Sequence, residues 1–359
     1  MAAVGPIRSR PVLLALRALW LGDLLAAVPA LRALADAFPF HRRLLATPAA
    51  LAPLVELADT GFEVVDAAPL APLPEACAEA DVAVNLHGCG PESHRVLLPA
   101  RPRRLIAFRR PEVPETGGAP TWRADEHEVR RWCGLLAAHG IPADPARLRL
   151  RPPSRTAGWE GATIVHAGAK APARHWPAAR WAAVARAESS AGRRVGLTGS
   201  AGELDLVHEV ASLAGLGTDA VLAGATDVTA LAALVAHAGR LISGDTGVAH
   251  LATAFGTPSL TLYGPVAPEL WGPLIDPHLH RVLWKGPRPG ASDGAPHPAL
   301  LEITVEETLA ELGRLPLPGA GPAAALAVSG GARAAGSLDG PVVVSPDHEP
   351  VIDAARGRA

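Results

Sequence analysis

Ile242-Ser-Gly-Asp-Thr-Gly-Val-Ala-His-Leu-Ala-Thr-Ala-Phe-Gly-Thr-Pro258, followed by Ser259-Leu-Thr-Leu262, reads as strand, turn, helix and strand. A short apolar run ends at Ser243, Gly244 to Gly247 turn, a helix opens near Val248, and a second strand begins at Ser259. Two strands joined through a helix lie parallel, so this is one unit of an α/β fold. A helix start carries free N–H groups and a partial positive charge, which suits an anion such as phosphate. Asp245 can cap the helix or accept from a ribose hydroxyl, Thr246 offers its hydroxyl, and Gly247 lets backbone approach a ligand. His250 falls on the first turn, within reach of the same anion. The alternative is structural: an Asp-Thr cap and a partly buried histidine.

Outward from this unit the same alternation recurs. Toward the N-terminus lie candidate strands Val12–Leu16, Leu44–Thr47, Glu63–Val65, Val82–Leu86 and Arg104–Phe108, with helices over Asp23–Ala37, Pro48–Ala58, Ser93–Leu98 and Glu126–His139. Between Ile141 and Gly161 the chain is rich in Pro and Arg and reads as a linker. The pattern then restarts with strands Thr163–His166, Val195–Thr198 and Leu241–Ser243 and helices Pro177–Ala191, Glu203–Leu213, Val228–Ala238 and Thr304–Leu315. We expect two Rossmann-like domains, 1–150 and 151–315, facing a central cleft, and a disordered Gly/Ala/Pro-rich tail over 316–359. Open α/β sheets bind ligands beyond the carboxyl ends of their strands, so the chemistry belongs in loops that enter helices.

Composition narrows the function classes. The chain has 359 residues, 49% hydrophobic and 19% charged, enough for ordinary cores and too apolar for a disordered protein. Its net charge of -2 gives no electrostatic drive toward nucleic acid. Of 33 basic residues only Lys170 and Lys285 are lysines, a bias that, with abundant Ala, Gly and Pro, points to a GC-rich genome. Three scattered cysteines, Cys77, Cys89 and Cys133, suit a reducing compartment and form no CxxC pattern. Arg17, Asp23 and Arg32 interrupt the longest apolar stretch, Val12–Ala35, which argues against a membrane span or a signal peptide and for a cytoplasmic protein.

Four motifs stand in order along the chain: Gly22-Asp23 with Pro29-Ala30-Leu31-Arg32, His166-Ala-Gly-Ala…Arg174-His175-Trp176-Pro177, Leu197-Thr-Gly-Ser-Ala-Gly-Glu203, and D-T-G-x-x-H-x-A-x-A-x-G-T-P from Asp245 with Tyr263-Gly264-Pro265 and Trp271-Gly272-Pro273. This series resembles glycosyltransferase family 9, whose best-known members are the ADP-heptose:lipopolysaccharide heptosyltransferases. The resemblance implies a GT-B fold and an inverting transfer with no essential metal and no cofactor. The sugar nucleotide would lie on the C-terminal half, the acceptor on the N-terminal half.

By the same resemblance Asp23 is the general base, Arg174 stands where many members carry lysine, and Glu203, with Gly199 in the same turn, lies near the nucleoside. An Asp after the first strand suits proton removal from an acceptor hydroxyl; its structural alternative, with less weight, is an N-cap that competes for the same carboxylate oxygens. Lys170, four residues before Arg174, can share the phosphate role, and Asp245, Thr246, Gly247, Val248 and His250 would surround the diphosphate. With no D-x-D in the sequence, fixed donors must stabilise the leaving group. Gly22, His87 and Gly88 are candidates on the acceptor side, and Arg42-Arg43, Arg101, Arg103, Arg104 and Arg109-Arg110 are candidate contacts for an anionic acceptor. The expected partners are a nucleotide-sugar donor and a glycan or small-molecule acceptor, with room for peripheral association at the inner face of the plasma membrane. Two other readings stay open: a non-catalytic nucleotide-sugar binder, and a GT-B sugar-nucleotide epimerase or hydrolase.

Overall fold

The computed structural model describes residues 10–289 and 294–316; the expected tail beyond 316 lies outside them. The N-terminal part runs β1 (Val12–Leu16), α1 (Leu21–Ala37), β2 (Arg42–Thr47), α2 (Ala52–Leu57), β3 (Glu63–Asp66), β4 (Val82–Asn85), α3 (Pro91–Leu97), β5 (Arg104–Ile106) and α4 (Glu128–Ala138). The C-terminal part continues with β6 (Thr163–His166), α5 (Ala178–Ser190), β7 (Val195–Thr198), α6 (Leu204–Ala214), α7 (Val228–His237), β8 (Arg240–Gly244) and α8 (Gly247–Phe255). It ends with β9 (Ser259–Leu262), α9 (Pro268–Trp271), β10 (His280–Leu283), α10 (Pro298–Leu301) and α11 (Val305–Leu312).

The strands form two five-stranded parallel sheets, ordered β3-β2-β1-β4-β5 and β10-β9-β8-β6-β7. Their central strands are buried apolar runs, as strands covered on both faces must be. Register aligns Ala15 with Val84 in the first sheet, and His166 with both Thr198 and Ser243 in the second. In each sheet the strand order reverses once, between β1 and β4 and between β6 and β8. Such a reversal splays the outgoing loops apart and opens a crevice at the carboxyl edge. Asp23 follows β1 and His87 follows β4; Arg174 follows β6 and Thr246 follows β8. The candidate residues therefore stand at the two switch points.

Helix α1 explains the longest apolar stretch of the sequence. It is buried on nearly every side, from Leu24 through Leu34, because it lies between the first sheet and helices of the other half. One apolar cluster joins Leu24 and Leu31 of α1 to Leu234 and Val235 of α7, Val248 and Leu251 of α8, and Ile164 and Leu241 of the second sheet. The Pro/Arg-rich 141–161 segment takes no helix or strand, yet buries Leu148, Leu150 and Trp159. No described helix is long and apolar enough to cross a membrane.

Candidate active site

At the end of β8 the chain leaves two buried hydroxyls, Ser243 Oγ and Thr246 Oγ1, without hydrogen-bond partners, and between them Asp245 Oδ2 has an ion-pair contact alone. Buried polar atoms are almost always satisfied, so these neighbouring hydroxyls make the turn a candidate for a polar ligand. Thr246, in extended backbone, is the N-cap of α8, which corrects the expectation that Asp245 caps it. Asp245 instead turns toward Arg174: the guanidinium Nη1 donates to the Asp245 carbonyl at 3.0 Å and lies 3.2 Å from its carboxylate. Thr246 and Gly247 stay partly accessible at the opening turn of α8, whereas Val248 is buried.

His250 stands one turn into α8, its ring edge-on to Trp271. Burial pushes its pKa down to about 4, against the pull of Asp245, so it is neutral at pH 7. His166 at the end of β6 shares a 3.0 Å hydrogen bond with Thr198 and is buried within the sheet, a structural position. Glu203 Oε2 accepts from the N–H of Ser200 at 2.7 Å and from its hydroxyl at 2.9 Å, closing a capping box. The same carboxylate lies over Gly168, where any side chain would strike it at 2.1 Å, and its Cβ lies against Gly199. The turn after β7 thus packs on the loop after β6.

Across the crevice, Asp23 is the third residue of α1. Its carboxylate reaches back to accept from the Trp20 N–H at 3.3 Å, so Trp20, not Asp23, is the N-cap. The other carboxylate oxygen lies 3.4 Å from Arg17 Nη2. The Asp23 side chain keeps 28% of its surface exposed. Burial raises its pKa; Arg17 pulls it down and Glu128 pushes it up. His87 sits on the neighbouring loop, where Asn85 Oδ1 accepts from its N–H at 2.9 Å and from that of Gly88 at 3.4 Å. Its Nδ1 is buried without a partner, and burial with the nearby Arg17 charge lowers its pKa to about 4.

Gly22 and Gly247 bring the two sides together. A methyl on Gly22 would stand 3.0 Å from His250 Cδ2 and 3.3 Å from Gly247 Cα; one on Gly247 would meet Leu21 at 2.6 Å and the Gly22 nitrogen at 3.0 Å. Only hydrogen fits between these helix starts, so the turn bearing Asp23 and the turn bearing Thr246 abut.

Three residues of this site escape a reading of the sequence by motif. Arg17 is wholly buried; it donates to Glu128 at 3.0 Å, to the Asp23 carbonyl at 2.9 Å and to the Leu86 carbonyl. Glu128, from α4, is its buried partner, 111 residues away in sequence. Trp20 is 62% exposed, and Lys170 Nζ lies 5.9 Å from its ring across the crevice. A charge closing an apolar strand, as Arg17 does after Leu16, was the available signal. The arginine clusters divide by place. Arg42 and Arg104 open β2 and β5, so with Arg43, Arg101 and Arg103 they lie toward the sheet edge opposite the site. Arg42 pairs with Glu63, Arg101 with Glu79 and Arg103 with Asp81. Only Arg109 and Arg110 follow a carboxyl end, and Arg110 is engaged by the Cys89 carbonyl.

Residues 121–287 match the model of glycosyltransferase family 9 (heptosyltransferase). The match spans just under half of the chain. Lipopolysaccharide heptosyltransferase 2 of Escherichia coli K12 is 32% identical over 154 residues, 40% of this chain and 43% of that protein. The chain thus aligns with less than half the length of this relative. Solved structures extend the likeness in fold across both sheets. The E. coli ADP-heptose lps heptosyltransferase II covers 84% of this chain and 97% of its own, with a TM-score of 0.70 at 22% identity. The E. coli heptosyltransferase WaaC with ADP covers 84% and 99%, with a TM-score of 0.63 at 18% identity. The fold is that of the GT-B heptosyltransferases. The family 9 segment holds every candidate donor residue from Lys170 to His250, while Asp23 and His87 lie before it.

Proposed function

We propose that this protein is an inverting glycosyltransferase that moves a heptose from ADP-heptose to a hydroxyl of a cell-envelope glycan, lipopolysaccharide core first among them. The observation that carries the reading is the apposition, through Gly22 and Gly247, of a carboxylate-bearing helix start and an anion-receptive one. The relatives' names, which specify heptose transfer to lipopolysaccharide and an ADP complex, support the donor and acceptor classes. In this reading residues 1–150 receive the acceptor and 151–315 the donor.

Asp23 takes the proton from the acceptor hydroxyl as its oxygen attacks the anomeric carbon. The bond from that carbon to the diphosphate oxygen breaks on the opposite face, ADP departs and the configuration inverts. A carboxylate whose pKa is raised by burial is a stronger base than an exposed one. Arg174, Lys170, the Thr246 hydroxyl and the N–H groups of Gly247 and Val248 stabilise the departing charge, with neutral His250 as a further hydrogen-bond group. These fixed donors take the part a divalent ion plays in metal-dependent transferases. Glu203 and Gly199 border the nucleoside. His87 and Gly88 contact the acceptor, the exposed face of Trp20 packs against its sugar ring, and Arg109 meets an anionic substituent. The work is done at the inner face of the plasma membrane by peripheral contact.

The test is transfer by the purified chain from ADP-heptose to a panel of truncated lipopolysaccharide cores in excess EDTA, with products read by mass spectrometry. Asp23→Ala is expected to lower kcat by about 10²–10⁴-fold. Turnover unchanged in that variant defeats the mechanism; turnover that vanishes in EDTA and returns with Mg²⁺ defeats the metal-independent part.

A further inference from the structure

The Asp23 carboxylate does not own its only close cation among the described residues. Arg17, fully buried, reaches Glu128 at 3.0 Å but Asp23 at 3.4 Å. Glu128 is richly held: besides Arg17 it accepts from Trp132 Nε1 at 2.8 Å and pairs with Arg131. Asp23 has two long contacts, the one to Arg17 and the 3.3 Å bond from the Trp20 N–H. A carboxylate gains acidity from short, charged donors. Here the better share of the guanidinium goes to a second carboxylate, whose own charge also opposes ionisation of Asp23.

We propose that Glu128 is a positioning residue that sets the basicity of Asp23 by competing with it for Arg17. The proposal rests on the reading of Asp23 as the base. Arg17 is placed for a double duty, since it also holds the Asp23 carbonyl and, through Leu86, the loop that carries His87. The other groups facing this centre are few. Arg131 on α4 is committed to Glu128 and to the carbonyls of Arg123 and Glu126. His87 on the β4 loop and His250 on α8 are neutral at pH 7, and Lys170 stands outside, over Trp20. His127, beside Glu128, is tied to the Gly272 carbonyl at 2.9 Å and pushed toward neutrality by burial. No described group but Glu128 adds negative charge beside Arg17 and Asp23. Burial raises the Asp23 pKa most; beside it Arg17 pulls the value down and Glu128 pushes it up, the sense the geometry requires.

The experiment follows the Asp23 carboxyl ¹³C resonance with pH in the full chain labelled at aspartate Cγ, assigned by its loss in Asp23→Asn. In the wild type it should titrate above the ordinary aspartate value of about 3.9. In Glu128→Gln, where Arg17 is free to turn fully to Asp23, it should move down by about one pH unit. Because Glu128→Gln leaves Arg131 without its buried partner, the charge-balanced pair Glu128→Gln with Arg131→Gln asks the same question in a chain whose net charge is unchanged. The acid limb of kcat/KM for ADP-heptose should follow the same shift, which a merely structural role would not move. An Asp23 titration at or below the ordinary value in the wild type, or unmoved in either variant, overturns the proposal whether or not transfer is detected. A downward shift with no transfer to any acceptor upholds the tuning and counts against the transferase reading alone.

Discussion

The guanidinium of Arg174 lies beside a carboxylate that is itself buried, and the pair sums to zero charge. In the proposed reading the anion site therefore draws its positive character from the α8 dipole and Lys170 until a phosphate competes with Asp245 for the arginine. Removing Arg174 both deletes a charged donor and strands Asp245. A hydrogen bond to a charged group contributes about 1.5–3 kcal/mol. Arg174→Ala should thus weaken ADP binding by roughly 10–100-fold in calorimetry, and Arg174→Lys, which keeps the charge on a shorter reach, should restore part of it. ADP affinity equal to wild type in the alanine variant would remove Arg174 from the site. At this scale the sequence was half legible. Arg174 stands out beside His-Trp-Pro, but Asp245 is 71 residues away, and only the pairing of β6 with β8 brings them together. Arg17 and Glu128 were hidden for the same reason: their partnership is made by α4 packing on α1, which no local pattern encodes.

At the scale of elements, the periodic signals are legible where burial is two-sided. The strands Thr163–His166, Val195–Thr198 and Ser259–Leu262 stand where the apolar runs put them. β10 escaped because its first two residues are His280 and Arg281, and it lies at the sheet's edge with only one neighbour. Helix α1 begins two residues before Asp23 because Leu21 packs on Gly247, a contact between halves that outranks the local preference of aspartate for the cap. That contact yields a prediction. Gly247→Ala forces a methyl to within 3.0 Å of the Gly22 backbone nitrogen, and Gly22→Ala forces one onto the His250 ring. Overpacking of this kind costs about 1–3 kcal/mol. Each variant should lose that much in urea unfolding and bind ADP more weakly, whereas Gly202→Ala, on an exposed turn with no atom nearer than 3.9 Å, should stay within about 0.5 kcal/mol of wild type. If Gly247→Ala were as stable as Gly202→Ala, the two helix starts would not be in contact.

Across the whole molecule, two parallel sheets and their order of motifs were readable, while the apolar seam that α1, α7 and α8 make between them was not, since its residues look like ordinary core. That seam and the sheet ends trap histidines away from water, and this fixes how the fold responds to acid. Burial lowers His87 and His280, each less than a tenth exposed, to about 4. An unfolded histidine titrates near 6.5, so between about 6.5 and 4 the unfolded chain binds more protons than the native one and stability falls as pH falls. By pH 5 each histidine costs about 2 kcal/mol. The exposed carboxylate Glu63, whose pKa Arg42 lowers, acts only below its unfolded value of 4.5. Asp23 works with the opposite sign: its raised pKa makes the native state the better proton acceptor as pH drops, and offsets part of the loss. The melting temperature should accordingly decline from pH 7 to pH 5, above the range where carboxylates with ordinary or lowered pKa titrate. His280→Gln keeps a polar group beside Ser259 while removing the titration, and should flatten that decline in differential scanning calorimetry. A slope unchanged in His280→Gln would show that this ring is already protonated in the folded state, and with it that the β9–β10 edge admits water.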